Sequence, residues 1–181
     1  ERGSVPIYDF FSTPSETKDY GDRVVNIDSS VKDIRPYEIA IAVKGKSIDE
    51  ATLKDIIQTQ EKLCWNFGRK RRSIAIGVFR SDLLTFPITY RAADPDETRF
   101  VPLQETKEMN LRQMCTDIPK GKEYGHIVQD FERYPYLEDA KGYALSFPPV
   151  INSSYTGAVK VGDENLFIEM TGTVLKDLIL T

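Results

Sequence analysis

The residues best placed to do chemistry lie between Tyr143 and Thr173, in the stretch YALSFPPVINSSYTGAVKVGDENLFIEMTGT. Ser146 stands beside a Pro148–Pro149 step, and the stretch closes on a strand-like run, Asn165 to Met170, that delivers Glu169, Thr171 and Thr173 in quick succession. Proline fixes φ and removes a backbone donor, so the step is expected to hold the chain extended and rigid just after Ser146. Side chains two apart on a strand share a face, so Glu169 and Thr171 project together, joined by Thr173 if the strand persists. A carboxylate and several hydroxyls on rigid supports would floor a polar pocket. The opposing reading places Glu169 and Thr171 on the exposed face of an edge strand, and the pattern by itself leaves both open.

Other chemistry is thinly provided. His126 is the single histidine, set between Gly125 and Ile127, and is expected to be a structural hydrogen-bonder rather than a general base. One histidine with unlinked serines and aspartates draws no nucleophilic triad, and Cys64 and Cys115 make no metal-ligand spacing. With no Walker motif and no dinucleotide fingerprint, neither a cofactor nor a metal is expected in this domain. The run Arg69-Lys70-Arg71-Arg72 either meets RNA phosphates or is a solvated turn that compensates the dipole of the helix before it.

The totals fit a globular chain: 40% apolar and 29% charged over 181 residues, enough for one domain with a sizeable core. A net charge of −4 argues against a broad basic face for nucleic acid, though not against a local patch. Both cysteines read as small buried residues of a reducing compartment. No apolar run approaches membrane-spanning length and no signal-peptide pattern is present, so a soluble cytoplasmic protein without a membrane partner is expected.

Several elements must position the chemistry. Val24 to Ile27 reads as a strand or arm among loops, and Tyr37 to Val43 as a buried strand. Ser47 as N-cap with Glu50 three residues on makes a capping box. Leu53, Ile56, Ile57, Leu63, Cys64 and Phe67 then form an apolar stripe expected in the core, and Gly68 stops the helix. Ser73 to Phe79 and Ile88 to Tyr90 read as strands, Ala93 to Thr98 as an acidic turn, and Thr106 to Cys115 as a short amphipathic helix. A turn at Lys141-Gly142 makes a hairpin that lays Leu137 beside Ser146. Strands and helices mix without βαβ alternation, which implies an α+β class of mixed sheets with packed helices. The last residues, LKDLILT, look like a helix stopped in its second turn and suggest a longer parent chain.

LSFPPVIN (Leu145 to Asn152) followed by NLFIEMTGT (Asn165 to Thr173) resembles the archaeal/eukaryal-type β subunit of phenylalanyl-tRNA synthetase. IRPYEIAIAVKG (Ile34 to Gly45), FGRKRRSIAIGVF (Phe67 to Phe79), YRAA (Tyr90 to Ala93), FVPL (Phe100 to Leu103), GKEYGHIV (Gly121 to Val128) and YPYLED (Tyr134 to Asp139) match in the same order. The resemblance implies a preceding segment or linker at 1–33, a tRNA-editing domain at 34–174, and the start of a helix toward the next domain at 175–181. It implies hydrolysis, by a positioned water, of the ester of tyrosine mischarged on tRNA(Phe), inside an αβ heterotetramer whose ATP- and magnesium-dependent synthetic site lies elsewhere. Residue by residue, it makes Leu137 an apolar wall and gives Ser146 the substrate's reacting end or a water. It has Glu169 reading the tyrosine hydroxyl and Thr171 positioning the ester or the attacking water. The resemblance keeps the family pattern FIExTGT, while Met170 and the loop from Asn152 to Gly157 fall at positions that vary freely, and Tyr136 stands where related chains often carry an aliphatic residue, which would reshape the pocket edge. The alternative is a structural or RNA-docking module without hydrolytic activity.

Overall fold

The computed structural model describes residues 23–181, so the first 22 residues of the expected preceding segment lie outside the described residues. In chain order the strands are β1 (Val25–Ile27), β2 (Tyr37–Lys44), β3 (Ile74–Arg80), β4 (Ile88–Ala93), β5 (Arg99–Phe100), β6 (Met109–Asn110), β7 (Tyr134–Glu138), β8 (Ala144–Phe147), β9 (Ile151–Asn152) and β10 (Asn165–Gly172). The α-helices are α1 (Glu50–Trp65), α2 (Leu111–Asp117), α3 (Pro119–Tyr124) and α4 (Leu175–Leu180). The class is α+β, as the mixed pattern implied.

Two sheets carry the fold. One has the order β1-β4-β7-β8-β9, the other β2-β10-β3, with the pair β5-β6 at the side. Their packing makes four layers. α2 and α3 bury Leu111, Met114, Cys115, Ile118 and Tyr124 against Phe100, Tyr134, Tyr136 and Phe147 on one face of the five-stranded sheet. The other face brings Ile88, Tyr90, Leu137 and Leu145 onto Phe79 and Phe167 of the three-stranded sheet. Leu166 and Val78, with Met170 and Ile74, turn the opposite way, toward α1 and α4. Val31, on a 3-10 turn after β1, also packs in the cluster between the sheets, so the chain upstream of Ile34 contributes to that core.

Local expectations and structure part in several places. α1 is capped by Asp49, whose carboxylate accepts from Thr52 N at 2.7 Å, and not by Ser47; an aspartate one residue before the first helical turn already serves its orphan N–H groups. Its stripe is only partly core: Leu53, Ile56 and Leu63 are half-buried, whereas Ile57 and Phe67 remain 51% and 63% exposed. Among the described residues β2 is an edge strand with no partner on its outer side, and its second half is exposed. The second helix begins at Leu111, later than Thr106, where Asn110 and Gln113 complete a reciprocal capping box. Pro148–Pro149 does not extend the chain: the bond is cis, and the backbone turns there from β8 to β9. Tyr136 faces the α2–α3 cluster, on the side of the strand away from Leu137, and so does not edge the expected pocket.

Candidate functional site

β10 is the central strand of its sheet, paired antiparallel with β2 and β3 along its length. Alternation sends Phe167, Glu169 and Thr171 toward the five-stranded sheet and Leu166, Ile168 and Met170 toward the helices. Glu169 is therefore 2% exposed and Thr171 0%, which removes the exposed-edge reading. Thr173 lies past the end of β10 and is exposed, so it does not join them.

The facing sheet supplies the other two groups. Leu137 on β7 pairs with Ser146 on β8, the register that the Lys141-Gly142 turn implied. A bulge beside this pair puts Leu145 in the same intersheet cluster as Leu137. Ser146 Oγ donates to Glu169 Oε1 at 3.5 Å, the long limit of such a bond, and so links the two sheets. Leu137, Ser146, Glu169 and Thr171 thus converge on one space, and all four are buried.

Room for the Glu169 carboxyl comes from small neighbours. In register, Glu169 lies between Ala40 on β2 and Gly77 on β3. A methyl group added at Gly77 would stand 2.6 Å from Glu169 Oε1, so the absent side chain is what lets the carboxyl lie back across β3. Burial pushes Glu169 up to about 8, opposed by the charge of Arg35 and the bond from Ser146. Its Oε2 accepts from no group among the described residues.

Arg35 was not singled out from sequence. Its side chain is fully buried; Nε donates to Thr171 Oγ1 at 2.9 Å, Nη2 to Thr171 O at 2.6 Å and Nη1 to Arg72 O at 3.0 Å. Tyr90 donates its hydroxyl to Arg35 O at 2.8 Å. Burial lowers the guanidinium to about 10, which leaves it a cation at neutral pH. Since Thr171 Oγ1 accepts from Arg35, the threonine's own proton is free for another acceptor. The signal for Arg35 in the sequence was a charged residue in front of Pro36 and a strand, too common a pattern to mark a buried cation.

The basic run divides its labour. Arg69, Lys70 and Arg71 all have positive φ, at 48, 56 and 66°, a conformation costly for side-chain-bearing residues and held here by surrounding contacts. Arg71 turns inward, donating to the carbonyls of Pro149 and Val150 and to Glu61, with Tyr124 beneath its guanidinium. Arg69, Lys70 and Arg72 stay exposed. His126 is exposed as well, with its Nε2 3.5 Å from Arg72 Nη2.

A polar-lined cavity of about 490 Å³ sits at the other end of β10, bordered by Arg23, Lys44, Asp82, Thr85, Phe86 and Asn165. It contains none of the four residues singled out from sequence. No cluster of three or more histidine, cysteine or acidic side chains suited to a metal ion occurs among the described residues, and no helix there is long and apolar enough to cross a membrane.

Comparison with known proteins then gives this geometry a context. No protein-family model matches the chain. A phenylalanine–tRNA ligase beta subunit from Borreliella burgdorferi is 42% identical over 170 residues, covering 94% of this chain and 30% of that protein. The protein of the same name from Thermococcus kodakarensis is 46% identical over 159 residues, 88% of this chain and 28% of the relative. Among solved structures, an N-terminal fragment of the phenylalanyl-tRNA synthetase beta-subunit from Pyrococcus horikoshii superposes with a TM-score of 0.84 at 43% identity, over 87% of this chain and 45% of that one. The chain therefore spans under a third of the length of the curated relatives it matches.

Proposed function

Along nearly all of its own length the chain is a homologue of phenylalanine–tRNA ligase β subunits, and from that premise we propose that it is the subunit's editing module, which hydrolyses tyrosyl esters of tRNA(Phe). The observation that carries this reading is the convergence of Leu137, Ser146, Glu169 and Thr171 from two facing sheets. Tyrosine and phenylalanine differ by one hydroxyl, and a buried group that needs that hydroxyl as partner rejects the analogue lacking it. Glu169 Oε2 is such a group. Because burial holds the carboxyl largely protonated at neutral pH, the pair with the phenol is one in which a neutral acid both donates and accepts. Ser146 then serves the hydroxyl end by fixing Glu169, rather than the reacting end of the ester.

At the other end of the ester, Thr171, held by Arg35, donates to the carbonyl oxygen while a water attacks the carbonyl carbon. The C–O bond to the ribose breaks, and tyrosine and free tRNA leave. The ester is activated, so orientation and oxyanion stabilisation suffice without a side-chain nucleophile. ATP and magnesium, in this reading, belong to a synthetic site elsewhere in an αβ heterotetramer in the cytoplasm. The module itself spans residues 34–174, with a helix toward the next domain from 175.

The packing around the four side chains is closed, and this favours a second reading: a structural or RNA-docking module without hydrolysis. One experiment separates the two, deacylation of Tyr-tRNA(Phe) by the full synthetase carrying Glu169→Ala. Editing at this site predicts a loss of roughly 100-fold or more, together with loss of discrimination against Phe-tRNA(Phe). Undiminished tyrosyl hydrolysis with discrimination intact removes Glu169 from the mechanism and leaves the structural reading.

A further inference from the structure

Glu38 is an acid in the intersheet space whose neighbouring charge is another acid. It lies on β2 directly across from Thr171 and on the diagonal from Glu169, pointing to the same inward face. Its Oε1 is buried and accepts from no group among the described residues, as is true of Glu169 Oε2. Burial, with Glu169 nearby, pushes the Glu38 carboxyl up to about 8. The buried cation of the cluster, Arg35, directs its hydrogen bonds to Thr171 and to the carbonyl of Arg72, not to either acid. A buried acid and a half-buried one, each with a buried acceptor atom left open, thus share an interior that among the described residues lacks a positive partner for one of them, an arrangement that is costly unless a ligand supplies the charge.

We propose that Glu38 is a specificity-determining residue of this site that takes up the α-ammonium group of the aminoacyl ester, an assignment that rests on the editing reading above. The ammonium and the ester carbonyl hang from one carbon atom, and the residues given to them, Glu38 and Thr171, are direct cross-strand partners with side chains roughly 4.5–5.5 Å apart at Cβ. The phenolic hydroxyl lies at the far end of a tyrosine. The diagonal from Glu38 to Glu169, roughly 7–8 Å on adjacent strands, is comparable with the reach from that carbon to the hydroxyl. Glu38 is half-buried where Glu169 is shut in, so the ester end faces outward, as attachment to a tRNA requires. An ammonium beside Glu38 favours its ionised form and reverses the upward push of burial.

The test uses the full synthetase and two esters of tRNA(Phe): tyrosyl, and the des-amino analogue 3-(4-hydroxyphenyl)propionyl. Wild-type enzyme should hydrolyse the des-amino ester with kcat/KM lower by about 10- to 100-fold, the range for one hydrogen bond to a charged group. Glu38→Gln should bring the tyrosyl ester down to that level and leave the des-amino ester within about twofold of wild type. Equal wild-type rates on the two esters overturn the assignment, as does equal loss on both esters in Glu38→Gln and Glu38→Asp alike, which makes Glu38 structural. Failure of the wild-type enzyme to hydrolyse the tyrosyl ester at all is a separate result: it removes the editing reading itself, and this assignment with it.

Discussion

On β10, Leu166, Ile168 and Met170 lean toward the helices, while Phe167, Glu169 and Thr171 lean toward the five-stranded sheet. Each face is covered by a packed layer, and their chemistry is opposite. The helix side is apolar and repaid by area, at about 25 cal/mol per Å² removed from water. The sheet side buries a carboxyl, a threonine hydroxyl and a guanidinium; the last two bond to each other, and the carboxyl keeps one oxygen without a partner among the described residues. One strand therefore shows where the fold is stabilised and where it carries the cost of a buried polar atom without a partner among the described residues.

The largest effect that sharpens the contrast is expected from the apolar face. Leu166→Ala should cost about 2–4 kcal/mol in chemical denaturation, while the surviving folded enzyme keeps the proposed preference for tyrosyl over phenylalanyl esters. A change in that preference would show that the two faces are not separable. On the other face, Gly77→Ala should displace the Glu169 carboxyl or the Phe79 ring, both within 2.6 Å of the new methyl. The expected result is a tenfold to 100-fold loss of tyrosyl hydrolysis, with a stability cost of about 1–3 kcal/mol. Full activity in that variant would mean that the carboxyl does not need its place over β3.

The smallest effect is a dependence on pH. Glu169 sits at about 8 in the fold against an ordinary 4.5, and Glu38 behaves alike, so between those values the folded chain holds more protons than the unfolded one. Stability conferred by the protonated acids is complete below about 4.5 and is lost as pH rises through about 8. Glu169→Gln should accordingly melt higher than wild type at pH 9, by at least about 1 kcal/mol, with the gap closing near pH 4. An unchanged difference across that range would show that the carboxyl titrates in the fold where it does in the unfolded chain.

Much of the positioning was legible because it is local. Leu137 and Ser146 are joined by a short hairpin whose Gly142 takes a φ of 81°, so the turn alone carried them into register. Strand alternation likewise placed Glu169 and Thr171 on one face. The cap of α1 lies two residues beyond Ser47 because serine and aspartate compete for the same role, and it is Asp49 that stands with extended backbone directly in front of the first turn. The Pro148–Pro149 step was legible as a stiff point but not in its direction.

What the sequence determined by itself, then, is the sharing of faces within a strand and the pairing of Leu137 with Ser146 across one hairpin, since both follow from the two-residue period and from turn chemistry. It also determined the scarcity of other catalytic groups, with one histidine and two unpaired cysteines. Only the tertiary structure decided that the Glu169 face is interior, because burial of a strand face depends on which second sheet covers it. It alone brought Arg35 onto Thr171 across 136 residues and set Glu38 beside Glu169. Those contacts are long-range, and the charge and proton balance of the interior is a property of the groups assembled there, which no stretch of the chain contains.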